Sequence, residues 1–131
     1  MEELFNMGIS EATIKNMVEI NPELRDISKN QIIEKENILK CIKCNDIQIR
    51  NIISSNPTFL TCTNSEIIKL LEYLNKLGFN TLNILFDSNP YILNLEPYEI
   101  ESYISERKNN GESIEDIIDD LDSNPYLFEE I

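Results

Sequence analysis

Cys41 and Cys44 stand at Cys-x-x-Cys spacing, and Cys62 supplies a third thiol. Redox chemistry by that motif needs a thiolate at a helix start beside a βαβ pattern, and no such pattern surrounds it. Zinc wants four ligands, and the chain has no histidine to complete a set. The cysteines therefore read as small core residues near helix ends. Their odd number speaks against a disulfide framework and for a reducing compartment. The missing histidine also removes the commonest general base and the usual activator of a Ser or Cys nucleophile. No glycine-rich phosphate loop occurs among three glycines. No enzymatic activity, metal or cofactor is expected.

Charged side chains offer the remaining chemistry. Glu112, Glu115, Asp116, Asp119, Asp120 and Asp122 form the densest cluster. It lacks the spacing and central glycine of an EF-hand loop, so calcium is not indicated. Three of the carboxylates, Glu115, Asp116 and Asp119, suit the positive end of a helix dipole; Asp120 and Asp122 fit that role poorly. The cluster reads first as a polar cap on a terminal repeat, and secondly as an acidic surface for a basic partner. On the cationic side, Lys40 and Lys43 are three residues apart, and Lys69 and Lys76 seven apart. Each pair can share a helix face and contact phosphates, although Glu34, Glu36 and Glu72 are interleaved as on a solvated face. The tyrosines, among them Tyr91, Tyr98, Tyr103 and Tyr126, read as core or interface packing.

The elements that must position these groups are set by a period. Asn-Pro recurs at Asn21-Pro22, Asn56-Pro57, Asn89-Pro90 and Asn124-Pro125, at steps of 35, 33 and 35 residues. A period in this range marks a helical repeat array, in which each unit buries its apolar face against its neighbours. Seven residues before each Asn stand Ile14, Ile49, Leu82 and Ile117; three before it stand Val18, Ile53, Phe86 and Leu121. Four before it come Met17, Ile52 and Leu85, with Asp120 the exception. These offsets stack on one helical face, so each Asn-Pro ends an amphipathic helix, helix B. Ser10, Asn45, Asn80 and Ser113 are its expected N-caps. Gly8, Gly78 and Gly111 precede three of the caps by two residues and permit the tight turn there; Lys43 in the fourth slot implies a different geometry.

A second helix, helix A, is expected before each turn. In the third repeat it runs over 65–77, with Thr63 and Glu66 at capping-box spacing. Ser28 and Gln31 share that spacing in the second repeat, and Pro97 suits the first helical position in the fourth. The first repeat keeps only a stub at 2–7. Proline forbids its predecessor an α conformation, and Asn can then cap a short third helix. Leu24, Phe59-Leu60, Ile92-Leu93 and Leu127-Phe128 supply its apolar side. The fold class is all-α: one helical-repeat domain over 1–131, divided at about 1–27 (partial), 28–62, 63–95 and 96–131.

Asn56-Pro-Thr-Phe-Leu, then Ile67 to Leu77-Gly78-Phe79, then Asn89-Pro-Tyr-Ile-Leu resemble repeats of the mitochondrial transcription termination factor (mTERF) family. The resemblance spans residues 10–131 and is strongest over 56–93. It implies a repeat of two helices and a short third one. It also implies binding of double-stranded nucleic acid through a basic concave surface, in the service of gene expression in organelles.

Charge pulls the other way. The net charge is −13, the isoelectric point is near 4.3, and residues 95–131 alone carry twelve acidic and two basic side chains. Duplex binding needs several phosphates neutralised, which an acidic chain does poorly. On charge the expected function is therefore protein binding, with a nucleic-acid-binding transcriptional regulator as the alternative. An acidic mimic of nucleic acid that inhibits a partner is a third reading. The N-terminus shows neither a secretory signal nor a transit peptide, and no run approaches the ~18 apolar residues of a membrane span. A cytoplasmic protein is expected. The stub of helix A suggests a homodimer through the N-terminal end.

Overall fold

The computed structural model describes all 131 residues, and every regular element is helical. Eight α-helices alternate with four 3-10 helices in the order α1 (Glu2–Asn6), α2 (Glu11–Ile20), η1 (Pro22–Asp26), α3 (Lys29–Cys41), α4 (Asp46–Ser55), η2 (Pro57–Thr61), α5 (Asn64–Leu77), α6 (Leu82–Ser88), η3 (Pro90–Asn94), α7 (Pro97–Asn109), α8 (Ile114–Ser123) and η4 (Pro125–Glu130). The chain condenses into two compact units, Met1–Asn64 and Ser65–Ile131, each holding two repeats of helix A, helix B and a 3-10 helix. The division falls two residues from the repeat boundary expected at 62/63.

Local chemistry explains the starts of these helices. Ser10, Asn45 and Ser113 accept the backbone N–H of Thr13, Gln48 and Asp116, as N-caps should. Ser28 with Gln31, and Asn45 with Gln48, close full capping boxes. Asn80 does not cap. The third repeat is two residues shorter, and α6 begins only at Leu82, after Thr81, whose side chain makes no capping bond.

The A–B turns share one geometry. Gly8, Lys43, Gly78 and Gly111 all have positive φ, at 88, 71, 107 and 93°. Each turn closes two backbone bonds: the positive-φ residue donates to the carbonyl three back, and the next residue donates to the carbonyl five back. This is the Schellman ending of a helix. The different geometry expected at Lys43 is thus overturned, because the two turn bonds hold a lysine in the conformation that glycine adopts freely.

These turns also carry a side-chain clasp. The residue that follows the positive-φ position is tied through its backbone N–H to the one five back, and a side-chain contact between the two accompanies this motif. The pairs are Ile9 with Leu4, Cys44 with Leu39 and Phe79 with Leu74, all buried. In the fourth repeat the pair is Glu112 with Arg107, an ion pair.

The Asn-Pro junctions also work differently from expectation. The Asn residues adopt φ between −130 and −144° and ψ between 73 and 87°, outside the α region that proline disfavours in its predecessor, and their carbonyls accept the first 3-10 hydrogen bond. Side-chain capping of the 3-10 helix occurs only at Asn89. Asn21 instead donates Nδ2 to the Pro57 carbonyl at 3.1 Å and to Thr61 Oγ1 at 3.0 Å. Asn89 donates to the Pro125 carbonyl at 3.0 Å. A proline carbonyl in one repeat is thereby satisfied by the asparagine of the repeat before it. Burial of these amides makes the bond worth keeping, because an unsatisfied carbonyl there would cost about 1–3 kcal/mol.

Within the N-terminal unit α1 packs on α3 and α2 on α4, so like helices stack on like. The three sequence columns form the core: Ile14, Met17, Ile49, Ile52, Ile53, Leu82, Leu85, Phe86, Ile117 and Leu121 are buried, while Val18 is half-buried. In the C-terminal unit the rings of Phe79 and Phe128 approach to 6.0 Å and join the turn before α6 to η4.

Candidate functional site

The candidate lysines form two pairs, one on each unit. Lys40 lies in the last turn of α3 and Lys43 in the turn that follows. Both are exposed, and both sit where a cation complements the carbonyl end of a helix. Lys40 Nζ is 3.4 Å from Glu36, one helical turn earlier, an exposed contact that a phosphate could replace. Lys43 has no carboxylate partner. In the same unit Arg50 is exposed and lies against the first turn: a Cβ on Gly8 would stand 3.1 Å from its Nη1. Lys29 pairs with Glu3 at 3.6 Å.

Lys69 and Lys76 both project from exposed positions on α5 and engage no carboxylate. Seven residues of α-helix return them to nearly one face, about 10 Å apart along the axis. That spacing suits two phosphates of a single backbone.

The acidic cluster is not one surface. Arg107, which sequence reasoning passed over, takes two of its six carboxylates out of play. Its Nε donates to Glu112 Oε2 at 2.8 Å, its Nη2 donates to Glu112 Oε1, and Nη2 also reaches Asp120 Oδ2 at 2.6 Å. The guanidinium carbon lies 5.6 Å from the ring centre of Tyr103. Hydrogen bonds to Glu112 and Asp120 hold the Arg107 pKa above its ordinary value, and Arg107 in turn lowers that of Glu112. The poor fit of Asp120 to the helix dipole is thereby explained. Glu115, Asp116, Asp119 and Asp122 remain exposed on α8, opposite the buried Ile117, Ile118 and Leu121. A signal existed in sequence: Arg107-x4-Glu112 occupies the register of Leu4-x4-Ile9.

Lys35, by sequence one more available cation, is instead enclosed. It is 3% exposed in the middle of α3 and donates to Asn64 Oδ1 at 2.5 Å, while Asn64 donates to Glu34 at 2.8 Å. Burial lowers its pKa, and the neighbouring Cys62 and Glu34 side chains partly offset the shift. Being enclosed, it is not available to a phosphate.

None of the three thiols is in a disulfide, and only Cys44 is a core residue; Cys41 is exposed and Cys62 half-buried, against the expectation that all three pack inside. No group of three or more Cys, Asp or Glu side chains is arranged to hold a metal ion. Tyr91, Tyr98 and Tyr126 are exposed, so of the core and interface roles expected for them the core is excluded. No helix is long and apolar enough to cross a membrane.

Comparison with known proteins gives one match. A family model described as mTERF covers residues 1–119 of the chain. No curated protein and no solved structure matches.

Proposed function

The chain belongs to the mTERF family, and from that premise we propose that it is a non-catalytic, nucleic-acid-binding regulator of transcription. The observation that carries this reading is the family match, which runs through both units and all but the last 12 residues. A protein partner was favoured on net charge alone, and net charge averages over two unlike halves. The N-terminal unit holds nine acidic and seven basic side chains, a balance of −2. Six of its seven cations are exposed, Lys35 being the exception. A surface of that kind does not repel a phosphate backbone as a chain average of −13 suggests.

Each unit is given its own duplex contact: Lys40 and Lys43 with Arg50 on the N-terminal unit, and Lys69 with Lys76 on the C-terminal unit. Each phosphate neutralised adds about −0.9 to the log–log slope of affinity against salt, so binding through so few cations is weak and falls as salt rises. The test is fluorescence anisotropy with duplex DNA and duplex RNA across a salt series. Reversing Lys69 and Lys76 to Glu should flatten the slope by about two units and weaken binding to all sequences alike. Absence of binding to either duplex at the lowest salt would overturn the proposal.

A further inference from the structure

Tyr91 and Tyr126 hold equivalent places, each the residue after the proline of an Asn-Pro pair, one repeat apart. The two residues are 54% and 64% exposed. One side chain links their backbones. The Tyr91 N–H donates to Asn89 Oδ1 at 3.3 Å, and Asn89 Nδ2 donates at 3.0 Å to the Pro125 carbonyl, whose peptide bond leads into Tyr126. Two tyrosine backbones are thus joined through a single buried amide, and their rings are left in water. The same register in the N-terminal unit holds Glu23 and Thr58, so the ring pair belongs to the C-terminal unit alone.

We propose that the Tyr91–Tyr126 pair is a docking surface for a basic, arginine-bearing segment of a partner protein. Charge selects this occupant. The C-terminal unit carries fifteen acidic and four basic side chains, a net of −11. One of those four cations, Arg107, is committed to Glu112 and Asp120. In a 3-10 helix side chains three apart eclipse, so exposed Glu129 lines up with Tyr126. Asp122 near the end of α8 and Glu130 at the last position of η4 are also exposed and without cationic partners. A phosphate backbone is repelled there. A guanidinium is attracted twice, by the ring faces and by the carboxylates beside them. Two rings are a small anchor, so the interaction is transient and depends on both.

The experiment uses the full chain and a labelled twelve-residue peptide of alternating Arg and Gly, followed by anisotropy. Tyr91→Ala and Tyr126→Ala should each weaken binding about two- to fivefold, and a Lys-Gly peptide should bind less well than the Arg-Gly one. Thermal melting should be unchanged, because neither ring is packed. In the wild-type chain, excess peptide should protect Tyr91 and Tyr126 from nitration. Wild-type affinity in the double variant, or equal nitration with and without peptide, would overturn the proposal. So would capture of single-stranded oligothymidine by the same two rings with the peptide unaffected, since the surface would then read nucleic-acid bases.

Discussion

Both units are built from the same two-repeat plan, yet they use the plan's variable positions in opposite ways. Where the N-terminal unit closes its A–B turns with Leu4 on Ile9 and Leu39 on Cys44, the C-terminal unit closes one with Leu74 on Phe79 and the other with an Arg107–Glu112 ion pair. The exposed places after its prolines hold Glu23 and Thr58 in the first unit and Tyr91 and Tyr126 in the second. Net charge is −2 in one and −11 in the other. The lesson is that the backbone bonds of the turn and the asparagine rung carry the repeat. The side chains laid over them are free to become core, ion pair or surface.

The clasp gives the largest test of that contrast. Leu39 is fully buried, so Leu39→Ala should cost about 2–5 kcal/mol through lost transfer energy and the cavity left behind. Arg107→Ala, at the equivalent place, removes a part-buried ion pair whose carboxylates still reach water, and should cost less, about 1 kcal/mol. Restoring the apolar pair with Arg107→Leu and Glu112→Ile should keep the fold, and urea denaturation of the set measures all three. Equal losses for Leu39→Ala and Arg107→Ala would mean that the ion pair is structurally equivalent to the buried one.

The asparagine rung is common to both units, and its removal should hurt both. Asn21→Ala strands the Pro57 carbonyl and Thr61, and Asn89→Ala strands the Pro125 carbonyl. Each should cost about 1–3 kcal/mol, Asn21→Ala the more, because two acceptors lose their donor. Asn89→Ala has a further consequence absent from the first unit: it frees the Tyr91 N–H and loosens the two rings. Denaturant midpoints give the first effect, and nitration rates of Tyr91 and Tyr126 the second.

Much of this frame was legible beforehand because helical periodicity and proline act locally. The four Asn-Pro pairs, three buried columns and caps at Ser10, Asn45 and Ser113 follow from neighbours within seven residues. What was hidden depends on residues far apart in the chain. Asn21 finds Pro57 36 residues away, and Lys35 finds Asn64 29 away, so neither bond leaves a trace in local pattern. Asn80 failed as a cap because the shortened third repeat moved the helix start to Leu82, a shift that residue type alone does not reveal. The candidate lysines were readable only as exposed cations. Aligning the turns as well as the prolines would have exposed the Arg107–Glu112 replacement.

The turn residue offers a smaller, reciprocal test. Lys43 is the one non-glycine with positive φ, and Lys43→Gly should stabilise the N-terminal unit by about 1 kcal/mol by relieving the clash of Cβ with the backbone. Gly111→Lys should cost the C-terminal unit a similar amount, and conformation alone would be responsible, since nothing lies within 4 Å of a Cβ there. The pair also separates stability from function. Lys43→Gly should weaken duplex binding while raising the melting temperature, so a rise in both would remove Lys43 from the interface.

The smallest expected effect is the most specific to the acidic unit. Arg107 holds the Glu112 pKa below the ordinary carboxylate value, so the folded form binds that proton less readily than the unfolded chain. Stability from the pair is therefore fully present above the unfolded value, about 4.3, and is lost as pH falls through the lowered folded value. Acidification also relieves the repulsion among the unit's many carboxylates, which acts in the opposite direction, so the wild-type melting curve alone cannot isolate the pair. The difference between wild type and Glu112→Gln can. The gap in melting temperature should be constant from pH 7 to about pH 5 and close below about pH 4. No such closure is expected for Cys44→Ala in the N-terminal unit, where the clasp carries no carboxylate. A gap that persists into acid for Glu112→Gln would show that glutamate contributes there through its packing, as isoleucine and phenylalanine do at the equivalent turns.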